Sequence, residues 1–364
     1  MQQLLPGDKP RALRVLEEAV IKARAMPLPS RVSSLAVVGE WIAFAGNPAG
    51  AKKVTEEAMT LAEKLPADGH DHNTLAVGMT AARMAPYDWP RAKAVLDSVK
   101  DGHERNRYLA ATAAQLASTD LPKAKEVLTR FEPKNFGYAQ QGTVRVATRI
   151  ARTNPDEAVR IVDGISDLSY RIRGYCQVAR GLATVDKPRA IALIDSAMKL
   201  IADKPDNYGM WDPNGSCGSA LYIALSGQRI GHPDVAGLTA RALTFRTGTH
   251  PYLSAVDRKQ TQVKLAAGFA LLDPAVGRQL LAGIAPPDEF AKMAVSEIRE
   301  WMFALAMSDP ERAIEVIDMR VAMQSTNPSW HNGLNELSIT LLAQDRQAQL
   351  TAWCELMRDI DDTD

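Results

Sequence analysis

A short phrase recurs along nearly the whole chain and constrains its fold more than any other feature: Asp or Asn, Pro, a polar pair, Ala, then aliphatic residues at helical spacing. Four copies begin Asp8-Lys9-Pro10-Arg11-Ala12, Asp88-Trp89-Pro90-Arg91-Ala92, Asp120-Leu121-Pro122-Lys123-Ala124 and Asp186-Lys187-Pro188-Arg189-Ala190. A variant with one residue fewer before Pro stands at Asn47-Pro48, Asn154-Pro155, Asp273-Pro274 and Asp309-Pro310, with Ala51, Ala158, Gly277 and Ala313 at the Ala position. His232-Pro233 leads a looser copy anchored at Ala236.

The phrase has a mechanical meaning. Asp or Asn followed by Pro is a helix N-cap with Pro in the first turn, where its missing N–H costs nothing. The Ala marks a crossing too close for a larger side chain, and the aliphatic residues beyond it form the buried stripe. Before each phrase lies another helical stretch rich in Ala and large aliphatic residues, such as Tyr108 to Ala117, Leu35 to Phe44, Val144 to Ala151, Tyr175 to Ala183, Val263 to Leu272, Ala294 to Ala306 and Leu334 to Ala343. The unit is therefore helix, tight turn, helix. Anchors lie 32 residues apart from Ala92 to Ala124, and 46 apart from Ala190 to Ala236, so loops vary while the hairpin persists. The predicted fold class is all-α, a right-handed α-solenoid of about ten antiparallel helical hairpins. One repeat domain is expected over 1–364, with a long inter-repeat loop at 203–218 and a polar C-terminal cap at 344–364.

Gly7 to Val20 resembles the second helix of a tetratricopeptide repeat, with Ala12, Leu16 and Ala19 at that family's Ala, large-apolar and Ala positions. Ala190, Ile194 and Ala197 match in the same way, and Gly39 falls where the family's first helix carries Gly. Most other first helices lack that Gly, and the closing Pro is not regularly placed, so HEAT-type and vesicle-coat stacks stay open beside it. The resemblance implies a fold whose first helices line a concave surface. It does not imply an activity.

Composition removes several classes of function. Lys plus Arg and Asp plus Glu both number 43, so no long-range field gathers nucleic acid or anionic membrane. The run Leu265 to Leu272 stops at Lys264 and Asp273, too short to span a bilayer, and no transmembrane segment is expected. Three widely spaced cysteines, Cys176, Cys217 and Cys354, form no disulfide framework or zinc site and read as buried free thiols. The N-terminus lacks a basic segment followed by an apolar stretch, and the chain enters the repeat at once. The reading is the C-terminal part of a longer protein, with the compartment left open.

No Gly-rich phosphate loop, His pair at i and i+4 with Glu, or Cys-x-x-Cys occurs. Asp68-Gly69-His70-Asp71-His72 gathers metal-binding residue types, but two His two positions apart are awkwardly placed on a helix, and the segment reads as the polar start of a helix. No metal or cofactor is expected. Cys217-Gly218-Ser219 resembles the approach to a papain-like nucleophile, but Ala220 stands where the reactive Cys would be, and that reading is rejected. Tyr208 and Trp211, in the 203–218 loop, are read as covering a groove between hairpins.

The remaining signal is charge on the first helices. Gln141, Arg145 and Arg149 recur at i, i+4 and i+8, Arg173, Gln177 and Arg180 occupy one side of the next first helix, and Arg107 and Gln115 a similar side one hairpin earlier. Stacking would align them into a basic, amide-rich strip suited to an acidic peptide. The function expected is a non-catalytic protein–protein interaction scaffold with a protein or peptide partner. A self-associating coat-like solenoid, and an enzyme or small-ligand binder using the 203–218 loop, are the alternatives.

Overall fold

The computed structural model describes residues 9–65, 72–100, 102–131, 136–203, 215–245, 255–282 and 305. Among them every regular element is a helix, and no strand occurs. The chain divides into two compact units, Met1–Asp186 and Lys187–Asp364.

The first unit holds α1 (Lys9–Arg24), α2 (Leu28–Phe44), α3 (Pro48–Ala62), α4 (His72–Met84), α5 (Trp89–Ser98), α6 (Gly102–Leu116), α7 (Leu121–Leu128), α8 (Phe136–Ile150), α9 (Pro155–Asp163) and α10 (Leu168–Leu182). The recurrent phrase starts the odd-numbered helices. Asn47 accepts a hydrogen bond from the Gly50 N–H at 2.9 Å, Asp88 from Arg91 at 3.1 Å, Asp120 from Lys123 at 2.9 Å and Asn154 from Glu157 at 3.3 Å. Each bond satisfies one of the donors that a helix start leaves open, worth about 1 kcal/mol. Four positions beyond these caps Ala51, Ala92, Ala124 and Ala158 are fully buried, as is Ala12, the phrase's Ala in α1.

Two rows follow from this pattern. Even-numbered helices pack directly on one another in sequence, α2 on α4, α4 on α6, α6 on α8 and α8 on α10, while each odd-numbered helix from α3 to α9 lies beside its even-numbered partner. Small residues permit the even row. A Cβ at Gly78 in α4 would fall 2.1 Å from the Tyr108 ring of α6, a fully buried side chain that only Gly admits. Successive odd-numbered helices are instead linked by ion pairs: Arg24–Glu57 at 2.6 Å, Glu63–Arg91 at 2.6 Å, Asp97–Arg130 at 2.7 Å, and Lys125–Glu157. Most of these side chains are about a third exposed or more, so the pairs set register more than they stabilise.

The second unit holds α11 (Lys187–Asp203), α12 (Gly215–Ile230), α13 (Val235–Thr244), α14 (Ala255–Leu272) and α15 (Pro274–Ala282). Here α12 packs on α11, α13 and α14, and α14 on α15. The anchor Ala190 of α11 is fully buried and Gly277 of α15 is buried, as the phrase requires. The looser copy is corrected. Asp234, not His232-Pro233, caps α13, accepting from the Gly237 N–H at 2.9 Å, so the anchor four positions on is Leu238, fully buried, while Ala236 is exposed. The larger anchor is accommodated across the crossing, where a Cβ on Gly227 would lie 2.6 Å from Leu238 Cδ1. Of the loop expected over 203–218, Asp203 ends α11 and 215–218 begin α12; 204–214, with Tyr208 and Trp211, lie outside the described residues, as does 344–364.

Candidate functional site

At the C-terminal ends of the even-numbered helices of the first unit, four helices contribute to one polar network. The Glu40 carboxylate of α2 accepts from Arg83 Nε of α4 at 2.9 Å, from Gln115 Nε2 of α6 at 2.7 Å and from Arg149 Nη2 of α8 at 3.1 Å. Arg149 also donates to Gln115 Oε1 at 2.9 Å and stacks over the Phe44 ring at 4.8 Å. Burial pushes the Glu40 carboxyl up, but the Gln115 hydrogen bond and the charges of Arg83 and Arg149 outweigh it and hold the group below the usual carboxylate range.

This network fixes the shape of the row. Helices pack about 8–10 Å apart, so a flat row would place α2 and α8 roughly 25–30 Å apart, beyond the reach of two side chains. The Glu40–Arg149 bond therefore requires the even-numbered helices to curl until these ends converge. Arg149 is consumed at the closed end and does not extend an open strip. Arg83, Gln115 and Arg149 each stand five residues before the next cap, a register the sequence displays. Glu40 stands seven before its cap and carried no such signal.

Further toward the N-terminal ends of α6 and α8, and on α10, stand Arg107, Arg145 and Arg173, near enough that the charges of the first and last act on Arg145. All three are exposed, yet the Arg145 guanidinium is lowered from its ordinary value by burial first and then by the charges of Arg107 and Arg173. Arg107 pairs with Glu104 at 3.7 Å, and Glu104 accepts from the Tyr108 hydroxyl at 2.6 Å. Among the described residues no carboxylate pairs with Arg145 or Arg173. Beside them the Tyr138 hydroxyl meets His103 Nε2 at 2.7 Å, with the rings edge-on at 4.8 Å. Burial and then Glu104 push the Tyr138 hydroxyl up against the opposing effect of Arg107, which places Tyr138 next to that pair.

The other strip residues sit apart from this group. Gln141 is half-buried one turn before Arg145, Gln177 accepts from the Thr148 hydroxyl at 3.0 Å, and Arg180 is exposed near the C-terminal end of α10. Cys217 is buried, and burial pushes its thiol up to about 11, which leaves it un-ionised and poorly nucleophilic at neutral pH. Cys176 is likewise a buried free thiol, and Cys354 lies outside the described residues. Asp68, Gly69, His70 and Asp71 lie outside them too, as does the side chain of His72; among the described residues no group of three or more His, Cys, Asp or Glu could hold a metal. No described helix is long and apolar enough to cross a membrane.

Fold and site together define an all-α protein, a packed helical array with a solvent-facing arginine cluster on one row of its helices. No family model matches the chain, and no curated protein matches it. Among solved structures it is similar to the crystal structure of Ton1535 from Thermococcus onnurineus NA1, with 15% identity and a TM-score of 0.29 over 88% of this chain and 94% of that one.

Proposed function

We propose that this chain is a non-catalytic protein–protein interaction scaffold, a right-handed α-solenoid of tetratricopeptide-like hairpins, that binds an acidic segment of a partner protein on its even-numbered helices. One observation carries the reading: Arg107, Arg145 and Arg173 stand exposed on α6, α8 and α10, the charges of Arg107 and Arg173 act on Arg145, and among the described residues no carboxylate pairs with Arg145 or Arg173. Like charges held so close are a standing cost that an incoming carboxylate relieves. Arg149, Gln115 and Glu40 contribute by holding the helix ends together, not by touching the partner.

The test is fluorescence anisotropy of a labelled Glu-rich peptide against the full chain across a salt series. Wild type is expected to bind with an affinity that falls as salt rises, and Arg145→Glu and Arg173→Glu to abolish binding while circular dichroism stays unchanged. Binding that survives both charge reversals, or no binding by wild type at low salt, overturns the proposal.

A further inference from the structure

We propose that the cavity between α7, α8 and α9 binds a small carboxylate with an aliphatic body and one N–H donor, the chemistry shared by an N-acylated aliphatic amino acid and by the C-terminal residue of a peptide. The site goes beyond the scaffold reading and does not depend on it. The cavity holds about 290 Å³ and lies wholly within the first unit. Ligand pockets run from about 300 Å³ upward, so this one suits a molecule of single-residue size. Its α8 wall carries Gln140 and Thr143, which at i and i+3 share one side of the helix. Arg145 lies on a different side of α8.

Each wall asks for one part of that ligand. Leu128 of α7, with Ile161 and Ile165 on and just beyond α9, supplies aliphatic surface. Lys125 and Arg160 line the cavity from α7 and α9, and both donate to the Glu157 carboxylate. Two cations thus share one carboxylate, which leaves one positive charge. The Glu157 side chain is only 9% exposed, whereas those of Lys125 and Arg160 are 49% and 72% exposed, so the surplus charge is open to an incoming anion. Among the described residues each cation spends a single donor on Glu157, and an ammonium has three and a guanidinium five. A monocarboxylate matches that remainder. On the α8 wall the demand is reversed. The Thr143 hydroxyl donates to the Ala139 carbonyl at 2.8 Å, so its oxygen is left only to accept. Gln140 Oε1 is buried and meets no hydrogen-bond donor among the described residues. Buried amide oxygens are nearly always paired, so an unpaired one beside a cavity calls for a donor. The terminal torsion of Gln is soft and turns the amide toward a ligand N–H at little cost.

The experiment titrates the full chain with N-acetyl-leucine, N-acetyl-leucinamide, isocaproate and acetate by isothermal titration calorimetry. N-acetyl-leucine is expected to bind on the order of tenfold more tightly than its amide, which lacks the charge, and than acetate, which lacks the aliphatic body. Isocaproate, without the N–H, should bind more weakly than N-acetyl-leucine, and Gln140→Leu should remove that difference. Arg160→Gln should weaken N-acetyl-leucine binding on the order of tenfold. Arg160→Lys should restore part of it, and Lys52→Gln, exposed on α3, should leave it unchanged. Circular dichroism checks folding, and Lys125→Gln carries the same comparison should Arg160→Gln misfold. A tripeptide ending in Leu with a free carboxylate that displaces N-acetyl-leucine assigns the site to peptide C-termini; one that does not assigns it to the free acid. No binding of N-acetyl-leucine by wild type at millimolar concentration overturns the inference. So does equal binding of N-acetyl-leucine and either its amide or isocaproate, or undiminished binding by folded Arg160→Gln. None of these outcomes bears on the acidic-segment reading, which is read with the Glu-rich peptide.

Discussion

Replacing Glu40 by Gln tests the convergence of the even-numbered helices most directly, because Gln keeps the shape and removes the charge. In the folded chain that charge faces two guanidinium groups, Arg83 at 2.9 Å and Arg149 at 3.1 Å, with side chains only 14% and 24% exposed. Hydrogen bonds to charged groups contribute about 1.5–3 kcal/mol each, and stranding a fully buried partner costs about 3–5 kcal/mol. Residual exposure screens these contacts, and Gln still bonds one neighbour, so the expected loss is about 2 kcal/mol. The pH dependence has a definite sign. Glu40 is held below its unfolded value, so its contribution is fully present above about pH 4.3 and is lost as pH falls through the folded value. Glu40→Gln should therefore be less stable than wild type at pH 7, and the gap should close in acid. Native-state hydrogen exchange read by mass spectrometry over 36–45 and 145–151 resolves the effect within the first unit. Equal protection at pH 7, or a gap that persists unchanged at pH 3, would refute the network as a fastening of α2 to α8.

Other expected outcomes follow from packing and burial. Ala190→Leu should cost roughly 1–3 kcal/mol by overpacking a fully buried crossing, whereas Ala192→Leu, exposed on the same helix, should be nearly neutral in thermal unfolding. Gly78→Ala should lower the unfolding midpoint further than a typical helical Gly-to-Ala change raises it, because the added Cβ meets the Tyr108 ring at 2.1 Å; a raised midpoint would place that ring elsewhere. Cys217, with its thiol at about 11, should resist alkylation by iodoacetamide at pH 8 in the native chain and react once denaturant is added, as peptide mapping will read.

Local chemistry was legible in the amino-acid sequence because it acts over a few residues. An Asp or Asn cap bonds the N–H three positions on, and the anchor one position further meets the neighbouring helix, so Asp120 with Ala124 and Asn154 with Ala158 identify helix start and buried face together. The rule failed where Pro was read as the marker in place of the cap itself: at His232-Pro233 the capping carboxylate is Asp234, two residues beyond His232, and the anchor moves to Leu238. Helical spacing also grouped Arg145 with Arg149 on one helix, α8.

The separation of Arg145 from Arg149 was decided only by tertiary structure. Both lie on α8, one turn apart, yet Arg145 is exposed and feels the like charges of Arg107 and Arg173, and Arg149 is bound to a carboxylate 109 positions earlier in the chain. Spacing within a helix sets which side a residue occupies, and that depends on its own backbone alone. Whether that side is open depends on how far the row of helices curls, which is the accumulated result of every crossing from α2 to α8. Each crossing is set by the pairing of small and large side chains on two helices, such as Gly78 with Tyr108, and no single stretch of sequence contains both partners.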